Sequence, residues 1–168
     1  MRTRYFSKER LTKIVEIFPK ATFDAEAQEP ALIVTAADFP TVLRALKERE
    51  GFDRLGNLTA VDWKDHIEMV YHLYNMEENV KLEMKVALDS AAPVIESATL
   101  LYPGAEFEER EVYDLYDLMG VEFLGHPDLR RILMPDNYPA HPLRKDFVAP
   151  VPKLEGGKLV WLEKAPTS

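Results

Sequence analysis

HIEMVYHLYNMEENVKLEMKVALD, residues 66–89, decides the fold. In its second half Val80, Leu82, Met84, Val86 and Leu88 alternate with Lys81, Glu83 and Lys85. A period of two turns one face of a strand into a core and leaves the other in solvent. HIEMVYHLYNM reads as the preceding strand, and the polar Glu77, Glu78 and Asn79 between them read as a turn. Upstream, LGNLTAVDW at 55–63 supplies a third strand, so the three predict an antiparallel meander. A half-buried sheet needs a helix layer on one side only.

The residues further upstream supply that layer. Ser7 is placed to cap a helix carrying Leu11, Ile14, Val15 and Phe18 at helical spacing, ended by Pro19. Pro30 leads into the short strand ALIVTA. Asp38 then caps a second helix with Phe39, Val42, Leu43 and Leu46 on its face and Gly51 at its end. The expected fold class is therefore α+β, a two-layer domain with N-terminal helices packed on a mostly antiparallel or mixed sheet. After Pro93, Ser97 to Leu101 suggest a helical piece, and Phe107 to Met119 a longer helix stopped by Gly120. From His126 onward, prolines at 127, 135, 139, 142, 150 and 152 forbid long regular elements. The division expected is an α+β domain over 1–120 and an extended proline-rich C-terminal arm over 121–168.

Composition narrows the function. A chain of 168 residues suits one domain, large enough to bury roughly 70% of its unfolded surface. Its apolar runs fall far short of the ~20 residues that span a bilayer, and MRTRYFSKERLTK at the start has no apolar signal region, so any membrane association is expected through partners. The sequence contains no cysteine, which excludes disulfides, thiolate cluster ligands and thiol nucleophiles. A net charge of −8 argues against general nucleic-acid binding.

Charge and aromatic residues crowd between Glu109 and Phe147, with Tyr113, Tyr116, Phe123, Leu133, Tyr138 and Phe147 as anchors, and this reads as a surface to be covered by another protein. His126, Asp128 and His141 share the segment and could suggest a metal, as in a free-standing metal-dependent hydrolase. Each histidine precedes a proline and a third firm ligand is missing, so the preferred reading is a neutral imidazole hydrogen-bonded to backbone in a turn. Glu109 and Glu111 flank Arg110, and Asp114 and Asp117 follow; on a helix Glu111 and Asp114 are expected to face away from Arg110. These carboxylates are expected to bond to the arm, with Arg110, Arg130, Arg131, Arg144 and Lys145 as matching positive charge. His66 and His72 belong to no triad. Gly156 and Gly157 read as a hairpin turn before the strand LVWLEK at 159–164, where Trp161 is either a local core cap or an interface anchor. No catalytic residue, cofactor ligand or metal ligand is assigned.

Several ordered blocks, EREVYDL, GVEF, GHPDLRRIL and HPLRKDF, preceded by LTAVDW, MVYHLY and SATLLYPGAEFE, together resemble the 30 kDa-type (C-type) subunit of respiratory complex I, the NADH:quinone oxidoreductase. The resemblance spans Leu55 to Phe147. It departs from the family in a second Tyr-Asp-Leu, so that either Tyr113 with Asp114 or Tyr116 with Asp117 takes the family position, and in a short C-terminal tail. It implies a non-catalytic scaffold subunit of the hydrophilic arm, lying peripherally on the cytoplasmic face of the cell membrane. It also implies that FMN, iron-sulfur clusters and quinone reside in partner subunits, with the quinone-site large subunit and the iron-sulfur subunits as neighbours. The contact residues assigned on those motifs are Glu109, Arg110, Glu111, His126, Pro127, Asp128, Arg130, Arg131, His141, Pro142, Arg144 and Lys145. Relatives of this subunit also occur in membrane-bound energy-converting hydrogenases, formate hydrogenlyase, ferredoxin- or coenzyme F420-dependent complexes and photosynthetic complex I. The GHPDLRRIL and HPLRKDF blocks favour the quinone-reducing branch.

Overall fold

The computed structural model describes residues 3–24, 26, 29–115, 121–133, 135, 138 and 149–162. Strands β4 (Arg54–Asp62), β5 (His66–Asn75) and β6 (Val80–Asp89) form the antiparallel meander. The inward residues of β6, Val80 to Leu88 at every second position, are all buried, as are Ile67, Met69, Tyr71 and Leu73 of β5. Each such aliphatic or aromatic side chain contributes roughly 1.5–3 kcal/mol when fully buried.

The sheet is mixed. β3 (Ala31–Thr35) runs parallel to β6, with Leu32 beside Met84 and Val34 beside Val86. Two strands too short to show alternation escape the sequence: β1 (Arg4–Tyr5) pairs in parallel with the start of β6, and β2 (Thr22–Phe23) pairs antiparallel with β3. The order is β2-β3-β6-β5-β4, with β1 attached to β6.

Helices α1 (Lys8–Ile17) and α2 (Phe39–Glu50) cover one face with Leu11, Ile14, Phe39, Val42, Leu43 and Leu46. Ser7 caps α1 by accepting the Arg10 N–H. Asp38 occupies the N-cap position of α2 without making the expected side-chain cap, because its carboxylate accepts from the Thr35 hydroxyl at 2.9 Å. Gly51 ends α2 at φ +71°, and a Cβ there would lie 2.7 Å from the Asn75 amide nitrogen, so glycine is required on two counts. Arg10 ties the layers together through Glu50 at 2.7 Å and Glu78 at 2.6 Å.

Beyond the meander the structure departs from the periodicity. Residues 97–101 make a single turn, in which the Leu101 and Tyr102 N–H groups both donate to the Ala98 carbonyl, and no helix. Helix α3 runs Ala105–Leu115, and residues 116–120, expected to continue it to Met119, lie outside the described residues. Strand β7 (Val94–Glu96) pairs in parallel with β8 (Glu122–Leu124), burying Val121 and Phe123 in the core. Phe123 is thus a core residue, contrary to its reading as a surface anchor. A three-residue strand held by a parallel partner carries no alternation to announce it.

Near the C-terminal end β9 (Val151–Glu155) and β10 (Lys158–Leu162) form the expected hairpin around Gly156 and Gly157, both at positive φ. Trp161 of β10 meets Tyr138 edge-on at 4.8 Å. Among the described residues no helix is long and apolar enough to cross a membrane.

Candidate functional site

The buried face of α3 decides the site. Ala105, Glu109 and Val112 recur at four- and three-residue spacing, and all three are buried, so the helix turns a carboxylate into the core position between two apolar residues. Glu109 is fully enclosed. Its Oε1 accepts the Ala98 N–H at 2.6 Å and its Oε2 accepts the Ser97 hydroxyl at 2.6 Å. Burial outweighs these two bonds and, with the nearby Glu108 charge, raises the Glu109 carboxyl from its ordinary 4.5 to about 7.

His126 lies against this carboxylate, with Nε2 4.0 Å from Oε2 and its side chain fully enclosed. Its Nε2–H donates to the Glu106 carbonyl at 3.0 Å, and its Nδ1 accepts the Asp128 N–H at 3.0 Å. These partners assign the neutral Nε2–H tautomer, in the turn expected from the sequence, and leave neither nitrogen free for a metal. Among the described residues no group of three His, Asp or Glu side chains is placed to hold a metal ion. His141, the remaining residue of that candidate set, lies outside the described residues.

Arg110 and Asp114, one turn apart, fasten the chain that follows β8. Arg110 is buried, donates to the Arg130 carbonyl at 3.3 Å, and lies 3.7 Å from the Asp128 carboxylate. Asp114, also fully buried, accepts the N–H groups of both Ile132 and Leu133. The expectation that Glu111 and Asp114 share a face away from Arg110 is overturned: Glu111 is exposed, whereas Asp114 and Arg110 are both buried. The helical phase is set by Ala105 and Val112, which the charge pattern conceals. The expected bonding of α3 carboxylates to the later segment holds for Asp114.

The contact residues assigned from sequence therefore divide. Glu109, Arg110 and His126 are enclosed within this chain, Glu111, Pro127 and Arg130 are exposed, and Asp128 and Arg131 are half-buried. His141, Pro142, Arg144 and Lys145 lie outside the described residues, as do Tyr116 and Phe147. Of the expected anchors, Leu133 is 60% exposed, while Tyr113 packs partly buried against the core. Exposed Phe107 (66%), beside the Arg110 guanidinium, and Leu100 (85%) were missed. So were Ser97, Thr99 and Tyr71, whose polar groups gather around Glu109 only in three dimensions. His66 lies 3.0 Å from Asp65 at the surface and His72 3.3 Å from Glu83 in a half-buried cross-strand pair.

Residues 32–153, from β3 through the first strand of the C-terminal hairpin, match the family model described as respiratory-chain NADH dehydrogenase, 30 Kd subunit. The chain belongs to this family. It is 44% identical over 139 residues to the C-type subunit of the NADH-quinone oxidoreductase of Moorella thermoacetica, a match covering 82% of this chain and 92% of that relative. Against the corresponding NADH-quinone oxidoreductase subunit of Rhizobium etli it is 43% identical over 124 residues, 71% of this chain, and the match spans 60% of that relative's length. Among solved structures it is similar to a chain of the membrane-bound sulfane sulfur reductase, an archaeal respiratory membrane complex. That likeness has a TM-score of 0.70 and 32% identity, over 84% of this chain and 85% of the other. A trypsin-resistant fragment of Nqo5 shares the fold, with a TM-score of 0.63 and 23% identity, over 72% of this chain and 98% of the fragment. The relatives' names thus place this 30 Kd-family chain among subunits of oxidoreductase complexes.

Proposed function

We propose that the chain is a non-catalytic scaffold subunit in the hydrophilic arm of a complex I-type NADH:quinone oxidoreductase that couples electron transfer to ion translocation. One observation carries this reading: Glu106, Arg110 and Asp114 of α3 hold residues 126–133 in place through the His126 ring, the Asp128 carboxylate and the backbone at Arg130, Ile132 and Leu133, which leaves the Arg130, Ile132 and Leu133 side chains exposed. Leu133 and Ile132 are 60% and 40% exposed, and two adjacent apolar side chains fixed in water form the kind of patch that a partner covers. The buried polar groups spend their bonds on positioning, and the fully enclosed Glu109 offers no access to a substrate. Rigid presentation of this kind suits a subunit that fixes its neighbours.

On this reading FMN, the iron-sulfur clusters and the quinone belong to partner subunits, with the quinone-site large subunit and the iron-sulfur subunits lying over residues 126–133. The chain then sits peripherally on the cytoplasmic face of the membrane. The second reading, the equivalent subunit of an energy-converting hydrogenase or a ferredoxin- or F420-dependent complex, is favoured by the 32% identity to a chain of the sulfane sulfur reductase complex.

Capture of the full chain from gently solubilised native membranes, with NADH:quinone reductase and hydrogen evolution assayed together, tests both readings. Flavin- and cluster-bearing partners with quinone reduction are expected. Hydrogen evolution would move the chain to the second branch, and a chain recovered alone would overturn the scaffold role.

A further inference from the structure

The groups around Glu109 hold more than a structural anchor. Ser97 Oγ lies 2.6 Å from Glu109 Oε2 and 2.6 Å from Thr99 Oγ1, and also accepts the Thr99 N–H at 3.1 Å. A hydroxyl has one donor and two acceptor sites. With Glu109 ionised, Ser97 donates to Oε2 and accepts from the two Thr99 groups. With Glu109 protonated, its O–H donates to Ser97, and Ser97 turns its own proton to Thr99 Oγ1. Both states keep Glu109 and Ser97 bonded without moving a heavy atom, and in the second the proton of the half-buried Thr99 hydroxyl is left to solvent. Ser97 and Thr99 are half-buried, so the chain leads outward beside the exposed Leu100.

We propose that Glu109, Ser97 and Thr99 form a buried proton-binding site, in which Glu109 exchanges a proton with solvent through the two hydroxyls. The proton goes to Oε2, whose O–H bond forms as the Ser97 and Thr99 hydroxyls each pass one proton inward and solvent replaces the last.

The surroundings of the site agree. Facing Glu109 are Tyr71 from β5, Glu108 from its own helix and His126 from the segment after β8. The Tyr71 hydroxyl, fully buried and without a hydrogen-bond partner among the described residues, offers no positive charge, and its ionisation is pushed up by burial and by Glu109. Both His126 nitrogens are engaged with backbone, Nε2–H donating to the Glu106 carbonyl and Nδ1 accepting the Asp128 N–H. Arg110 turns to Arg130 and Asp128, and Asp114 to Ile132 and Leu133, leaving no full charge paired with Glu109. The rise of its carboxyl to about 7 follows.

Infrared titration of the full chain between about pH 5 and about pH 9 reads the protonated carboxyl directly. A carbonyl band of a buried carboxylic acid is expected at the acid end, lost with a midpoint near 7 and absent in Glu109→Gln. Ser97→Ala removes a donor to the carboxylate and should raise the midpoint, whereas Thr99→Val removes the acceptor that supports the protonated state and should lower it, each by about half a unit to one unit. Shifts of opposite sign are not expected from a merely structural role. Absence of the band throughout, a band unchanged by Glu109→Gln, or a midpoint unmoved by both hydroxyl variants would overturn the proposal. Thr99→Val, a half-buried change of nearly equal volume, keeps the test open if Glu109→Gln does not fold.

Discussion

The helix-covered sheet and the α3 region are held together by opposite means. Beneath the helices, Leu82, Met84 and Val86 of β6 and Leu43 and Leu46 of α2 belong to one buried apolar cluster, and its strength lies in area removed from water. Around α3 the buried polar side chains are Glu109, Arg110 and Asp114: Glu109 accepts from Ser97 and Ala98, while Arg110 and Asp114 hold residues 128–133 through hydrogen bonds and an ion pair. An apolar core yields gradually to substitution and is indifferent to pH. A polar knot fails when one member is removed, because the abandoned partner stays buried. The two regions also differ in role: the sheet supplies stability, and the α3 knot supplies the position of an exposed strip.

Breaking the first region should give the largest effect. Leu82→Ala, at a position 1% exposed, is expected to cost about 2–5 kcal/mol. A lower urea midpoint with little change in slope would register it. Asp114→Ala strands the N–H groups of Ile132 and Leu133 and should cost about 1–3 kcal/mol. Its signature is regional: amide hydrogen exchange should speed up over residues 130–133 while the amides of β5 and β6 keep their protection.

The polar knot, unlike the sheet, should respond to pH. The folded chain carries a Glu109 carboxyl raised from 4.5 to about 7, so between those values it binds a proton that the unfolded chain has released. Stability therefore falls as pH rises through that window, by about 1–3 kcal/mol in total, and this contribution levels off above it. Glu109→Gln, which mimics the protonated form, should flatten the slope, as chemical denaturation at several pH values would show. Smallest of all is Arg130→Glu. Arg130 is 70% exposed and bonded to Asp128, so the isolated domain should change by no more than about 0.5 kcal/mol, while its capture of partner subunits weakens.

The same contrast explains what could be read in the sequence. The alternation over Val80–Leu88 and the helical spacing over Phe39–Leu46 are consequences of one-sided burial, and both elements stand where those patterns place them. β7 and β8 are three residues each, too short for any period, and are fixed by one another and by Val121 and Phe123 beneath them. At α3 the fully buried apolar positions described are Ala105 and Val112, with Tyr113 partly buried beside them, and the charges between suggest a solvated helix. Glu109 and Asp114 are buried because donors 11 and 18 residues away in the chain converge on them, and a linear pattern holds no record of that convergence. The family motifs EREVYDL and GHPDLRRIL cover this segment, but only the folded arrangement sorts its residues into those that are enclosed and those that are exposed.

Hydrogen exchange measured on the full chain alone and again in the complex extracted from native membranes tests most directly the claim that residues 126–133 are a partner-facing strip braced by α3. We expect protection of the amides from Leu129 to Leu133 to rise by at least tenfold on assembly, while β5 and β6 are unchanged. Equal protection of this strip in the two states would contradict it.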